Sequence, residues 1–165
     1  MKDGERGAAR ERRSERIRRI EELAAALDLA PALEAYAAQA TAEFRDVPLP
    51  EGTCRRFFGR SFSEPETVLV VAETAEGKSD LGVCLTGPFE DPLTAGRLPM
   101  VLILFVSPHA RHRGLARALI EEVTETLAER GMKALSARAG HNDDALISMG
   151  ERWGFVRQWE MMVRE

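Results

Sequence analysis

The chain has 165 residues, 44% of them hydrophobic, enough to bury a substantial core within one folded unit. Its net charge of -4 is spread unevenly: residues 1 to 20 carry eight Lys/Arg against four Asp/Glu, leaving an acidic body. That body disfavours duplex nucleic acid as a partner and suits a cationic small molecule. No run approaches the roughly 20 apolar residues of a membrane span, and the arginine-rich start has no signal-peptide core, so no membrane partner and a cytoplasmic location are expected. Cys54 and Cys84 lack a CxxC pattern or neighbouring histidines, which predicts reduced, buried thiols and neither a disulfide framework nor a metal site.

In chain order, Ile17, Ile20, Leu23 and Leu27 fall on one helical stripe, predicting an amphipathic helix from Ser14. Asp28 suits the N-cap of a second helix, because Pro31 is best tolerated in a first turn; Leu33, Tyr36, Ala37, Ala40 and Phe44 continue its stripe, and Pro48 and Pro50 end it. Thr53 to Phe62 reads as a short aromatic helix. Three strands are expected at Val68–Thr74, Leu81–Thr86 and Leu98–Val106, the first two as a hairpin. The unbroken V-L-I-L-F-V of the third suits a strand covered on both faces. Leu115, Leu119, Val123 and Leu127 then form a helical stripe stopped by Gly131. A strand at Ala134–Ala139, a helix at Asp143–Trp153 and a strand at Phe155–Val163 complete a mixed α/β (α+β) sheet with helices on both faces.

Where the third strand gives way to a helix, basic residues gather in Arg111-His-Arg-Gly114-Leu-Ala116, with Arg117 one residue further on. The first N–H groups of a helix lack intrahelical partners and the dipole is positive there, so an anion can be held by backbone. Gly114 removes a Cβ at the point of closest approach, Ala116 lets the helix sit tightly on its strand, and Arg111 and Arg113 add charged donors.

This stretch, preceded by Val106-Ser-Pro108, resembles motif A of the GNAT superfamily of acyl-CoA-dependent N-acyltransferases, [RQ]-x-x-G-x-[GA] after V-x-P. Asn142, Ala145, Gly154 and Phe155 supply the N-x-x-A...G-F segment that follows in that family, and the matching region spans roughly Leu98 to Val163. The resemblance implies a GNAT-like, mostly antiparallel sheet that binds acetyl-CoA at the splayed ends of the third and fourth strands. Backbone groups of Leu104, Phe105 and Val106 would pair with the pantetheine arm, the amides from His112 through Leu115 to Arg117 would hold the pyrophosphate, and Asn142 would contact the arm or the thioester. The family's usual opening strand is replaced in this reading by helices, giving a helical N-terminal extension (1–50) ahead of an acyltransferase domain (51–165) in one globular unit.

The tyrosine that often protonates the leaving thiolate in this family has no counterpart: the two registers reach Gly150 and Met149. No carboxylate stands on the third or fourth strand to act as base. His141, beside Asn142, and Ser148 are the substitutes the sequence offers as catalytic groups, and Glu73, Glu90 and Asp91 can meet a cationic acceptor. Two functions follow from the resemblance: acetyl transfer from acetyl-CoA to the primary amine of an acceptor, or a non-catalytic acyl-CoA-binding module. An RNA-binding role for the arginine-rich start ranks below both, since Glu5, Glu11 and Glu15 interleave with the arginines and no aromatic residue does. Sheet edges left without partner strands predict a homodimer.

Overall fold

The computed structural model describes residues 15–41, 49–91, 93–139 and 143–158. Its elements are β1 (Glu15–Arg19), α1 (Leu23–Thr41), α2 (Thr53–Ser61), β2 (Leu69–Thr74), β3 (Gly82–Glu90), β4 (Arg97–Val106), a 3-10 turn at Pro108–Ala110, α3 (Leu115–Glu129) and α4 (Asp144–Arg152). The four strands form one antiparallel sheet in the order β1-β2-β3-β4.

Period-2 alternation sorts the sheet into two faces. Leu69, Val71, Val83, Leu85, Ile103 and Phe105 meet α1 and α2, whereas Val70, Ala72 and Cys84 meet Leu115, Leu119, Val123 and Leu127 of α3. Both faces are therefore buried, which accounts for the unbroken apolar run of β4. Gly77, at φ +81, turns the β2–β3 hairpin as expected. Gly131, also at φ +81, ends α3: its N–H donates to Ala128 and that of Met132 to Leu127, satisfying two carbonyls at the helix end.

Among the described residues of the first fifty, 15–19 differ from the helical reading. Glu15–Arg19 is a strand, paired with β2 from Glu15 opposite Thr74 to Arg19 opposite Val70. Ile17 packs toward α3, and Arg19 on the same face pairs with Glu122 and with Glu129 at 2.6 Å. The three-residue step from Ile17 to Ile20 mimics a helical period, but β2 has an open edge there, and filling it satisfies a row of backbone groups that a helix would leave exposed. The described part of the chain thus opens with a strand where a helix was expected, and the helix α1 follows it.

Asp28 caps nothing, because α1 runs on through Pro31 as a single helix. Proline in a helix interior costs about 3 kcal/mol. Ala26, Ala30, Leu33 and Ala37 form one buried stripe on both sides of it, and breaking the helix would take half that stripe out of the core. Phe44 and Pro48 lie outside the described residues.

The strand expected at Ala134–Ala139 is reduced to one parallel bridge, Met100 to Ser136, in which Ser136 N–H donates to Pro99 at 2.9 Å and Val101 N–H donates to Ser136 at 2.8 Å. Of the strand expected at Phe155–Val163, residues 155–158 carry no strand structure and the remainder lies outside the described residues.

Candidate functional site

The site is built at the end of β4. Ser107 N–H donates to Leu81 at 2.9 Å and its hydroxyl donates to the Asp80 carbonyl, fastening the strand end to the hairpin. Pro108 starts a 3-10 turn whose last residue, Ala110, is fully buried against α3. The chain then passes through His112 at φ +62 and Gly114 at φ +80 before entering α3. A histidine at positive φ stores local strain of about 1 kcal/mol or more. Gly114 occupies the N-cap position with no side-chain cap, and no atom lies within 4 Å of where its Cβ would stand. The first turn of α3 thus starts without a side-chain cap and with open space beside Gly114, an arrangement that suits an anion.

The arginines around this point are already engaged. Arg111 donates from Nε to the Val106 carbonyl at 3.0 Å, Arg113 pairs with Glu15 of β1 at 3.1 Å, and Arg117 pairs with Glu121 at 2.7 Å. All three are exposed, so the last two pairs are cheap to exchange for a phosphate.

A second feature lies upstream, where the register of β3 and β4 slips between Leu85 and Thr86, which oppose Ile103 and Val101. Leu102 is the extra residue, forming a β-bulge. Pairing alternates in an antiparallel ladder, so the Ser107 bond to Leu81 turns the backbone of Phe105 and Ile103 toward β3. The groups of Leu104 and Val106 therefore face away from β3, on the edge that pairs with Ser136 only as far as Val101. Beyond Val101 that edge has no strand partner among the described residues. Of the three backbones expected to meet an extended arm, those of Leu104 and Val106 are turned to the open edge and that of Phe105 is turned inward.

His141 and Asn142 lie outside the described residues. Ser148 is exposed on α4, whose N-cap Asp143 accepts from the Leu146 amide at 2.8 Å. Glu73 is buried and committed: Arg18 Nε donates to it at 2.7 Å and Ser79 at 2.9 Å, and the Arg18 guanidinium holds its carboxyl below the usual carboxylate range. Asp91 accepts from the Leu93 and Thr94 amides in the β3–β4 turn, and Glu90 is exposed beside it. Burial pushes the Cys84 thiol up to about 12 and the Cys54 thiol up to about 11, leaving both as core groups.

Two site features escape sequence reasoning. The bulge at Leu102 has no glycine or proline to announce it. The only tyrosine, Tyr36 of α1, stacks on Phe105 with ring centroids 4.4 Å apart and planes 9° from parallel, which puts it over β4.

Among the described residues no helix is long and apolar enough to cross a membrane. No curated protein sequence matches the chain. Solved structures do. A putative acetyl transferase from Pyrococcus furiosus is 19% identical, with a TM-score of 0.68 over 92% of this chain and 99% of that one. A predicted acetyltransferase with acetyl-CoA from Clostridium acetobutylicum is 14% identical, with a TM-score of 0.67 over 92% and 96%. Ribosomal-protein-alanine N-acetyltransferase from Brucella melitensis biovar Abortus 2308 is 22% identical, with a TM-score of 0.59 over 91% and 99%. At these identities the likeness shows the fold. The model of the acetyltransferase (GNAT) family matches residues 29–155, most of the chain and all of the described site, and the chain belongs to that family of N-acetyltransferases.

Proposed function

We propose that the protein transfers the acetyl group of acetyl-CoA to a primary amine by direct attack in a ternary complex. The observation that carries this reading is continuity: the open edge of β4 at Leu104 and Val106 leads directly to the uncapped N-terminus of α3 behind Gly114. A strand edge accepts an extended amide-bearing arm, and a helix N-terminus accepts a pyrophosphate. The amides of His112 to Arg117, with Leu115 and Ala116 among them, hold the phosphates, and Arg113 and Arg117 exchange their carboxylate partners for them. Outward amides of Leu104 and Val106 pair with the arm, and one of them receives the developing negative charge on the thioester oxygen.

The amine nitrogen bonds to the thioester carbonyl carbon as the C–S bond breaks. His141 takes the proton that nitrogen releases, Asn142 contacts the arm, and the Ser148 hydroxyl hydrogen-bonds the leaving thiolate, which takes up a proton from solvent to depart as the CoA thiol. Holding amine and thioester together supplies a large share of the acceleration by itself. We also infer a cytoplasmic homodimer, supported by the unpaired outer edge of β1 among the described residues; light scattering showing only monomer mass would refute the dimer.

The test is calorimetric titration with acetyl-CoA of the parent, Gly114→Asn and Gly114→Asp, followed by thiol release on an amine panel. Asn and Asp both tolerate positive φ and have the same shape, so the pair isolates charge at the phosphate position. At 5 Å and an effective dielectric of 20 the repulsion is about 3 kcal/mol, so Gly114→Asp is expected to bind at least tenfold more weakly than Gly114→Asn. Equal affinities would remove the pyrophosphate from this loop, and binding without thiol release on any amine would leave a binding module.

A further inference from the structure

Leu102 is 40% exposed in the middle of a strand whose neighbours Ile103 and Phe105 are buried. Its side chain lies on the α1/α2 side of the sheet, since its Cδ1 and the Phe57 ring converge above Gly87. A Cβ on Gly87 would stand 2.8 Å from the first and 2.7 Å from the second, so this glycine makes room for both. Tyr36 covers Phe105 on the same side and is itself only half-buried. Two apolar pairs, Tyr36 over Phe105 and Phe57 beside Leu102, thus lie on the same side of β4 at and next to the bulge and offer a largely aromatic shelf, beside the edge where β4 has no strand partner among the described residues.

Deepening the acetyl-transfer reading, on which it rests, we propose that this shelf receives the acceptor, and that the acceptor is a primary amine carried by an apolar or aromatic group, of the arylalkylamine class. A flat ring stacks on Tyr36 and buries its area on Leu102 and Phe57. A polyamine or amino sugar brings further charged or hydroxyl groups that lose hydration there and need partners. The carboxylates that α1 and β2 bring to this side are both occupied. Glu34 accepts from the amides of Gly52 and Cys54 at the start of α2, and Glu73 is held by Arg18 and Ser79.

The experiment measures acceptor binding apart from turnover. Protein saturated with CoA is titrated calorimetrically with 2-phenylethylamine and with spermidine, for the parent, Leu102→Glu and Tyr36→Leu. The parent is expected to bind 2-phenylethylamine at least tenfold more tightly than spermidine. Leu102→Glu, at an exposed position that tolerates a charge, should reverse that order, and Tyr36→Leu, which keeps apolar bulk but loses the ring, should weaken 2-phenylethylamine at least threefold. CoA affinity should stay within twofold in both.

Spermidine binding the parent as tightly, or an amine preference unmoved by either variant, overturns the shelf. Selective binding of 2-phenylethylamine without acetyl transfer from acetyl-CoA leaves the shelf standing and overturns the proposed reaction. Failure of the parent to bind CoA overturns the cofactor site and the shelf with it.

Discussion

Gly87→Ala probes the shelf through stability. The added Cβ would lie 2.7 Å from Phe57 Cζ, 3.0 Å from its Cε2 and 2.8 Å from Leu102 Cδ1. Favourable carbon contacts begin at about 3.5 Å, so both groups must retreat by most of an ångström. Leu102 is exposed and can swing aside, but Phe57 is held by an edge contact with Phe58 at 5.7 Å, and Phe58 in turn by Phe62 at 5.9 Å. Overpacking of this kind costs about 1–3 kcal/mol, and Ala recovers about 0.4–1 kcal/mol by restricting the unfolded chain, for a net loss of about 1–2 kcal/mol. In a chain of this size that is about 2–8 °C in Tm. Urea unfolding followed by circular dichroism should show a lower midpoint at unchanged slope, and adding Phe57→Leu to Gly87→Ala should return part of the loss as a coupling term. Gly87→Ala as stable as the parent, or additive with Phe57→Leu, would mean that the two side chains do not converge on the glycine.

Glu73→Gln removes the charge that Arg18 grips while keeping a hydrogen-bond acceptor, and should cost about 1–2 kcal/mol at neutral pH in urea unfolding. Because the folded-state pKa of Glu73 is lowered, its contribution is fully present above the unfolded value near 4.5 and fades as pH falls through the folded one; the gap between parent and variant should thus close only on acidification below about 4.5. Asp143→Ala removes the cap on Leu146 and should cost about 1 kcal/mol, read by the same unfolding curve. With its pKa near 12 and no exposure, the Cys84 thiol should resist iodoacetamide at pH 8 and react at the rate of global opening; prompt labelling would contradict its burial.

What was legible in the sequence is what local chemistry decides alone. Gly114 and Gly131 sit at positive φ at the two ends of α3, where the R-x-x-G-x-A string and the end of the Leu115–Leu127 stripe put them. In the V-L-I-L-F-V run Ile103 and Phe105 are buried toward α1/α2 and Val101, Leu104 and Val106 are half-buried toward α3, so helices cover both faces and only Leu102 stands exposed. What was not legible is decided by partners far along the chain. Residues 15–19 form a strand because β2, more than fifty residues later, has an edge to fill and α3 has carboxylates for Arg19. Pro31 sits inside a helix because the sheet buries both halves of its stripe.

The bulge shows the same limit at the site itself. A strand read at period 2 puts residues 101, 103 and 105 on one face, and nothing in V-L-I-L-F-V departs from that. The extra residue appears only when β4 is set against β3, where Leu85 meets Ile103 but Thr86 meets Val101. That one-residue slip does two things together. It moves the outward backbone groups from Pro99 and Val101 to Leu104 and Val106, so the edge changes pairing register just where the Ser136 segment stops. It also sends Leu102 and Ile103, consecutive in sequence, to the same side of the sheet, so that Ile103 fills the core while Leu102 is left exposed beside Phe57. The hydrogen-bonding edge that suits the cofactor arm and the apolar shelf that suits the acceptor are thus two consequences of a single inserted residue, and removing Leu102 should disturb both at once.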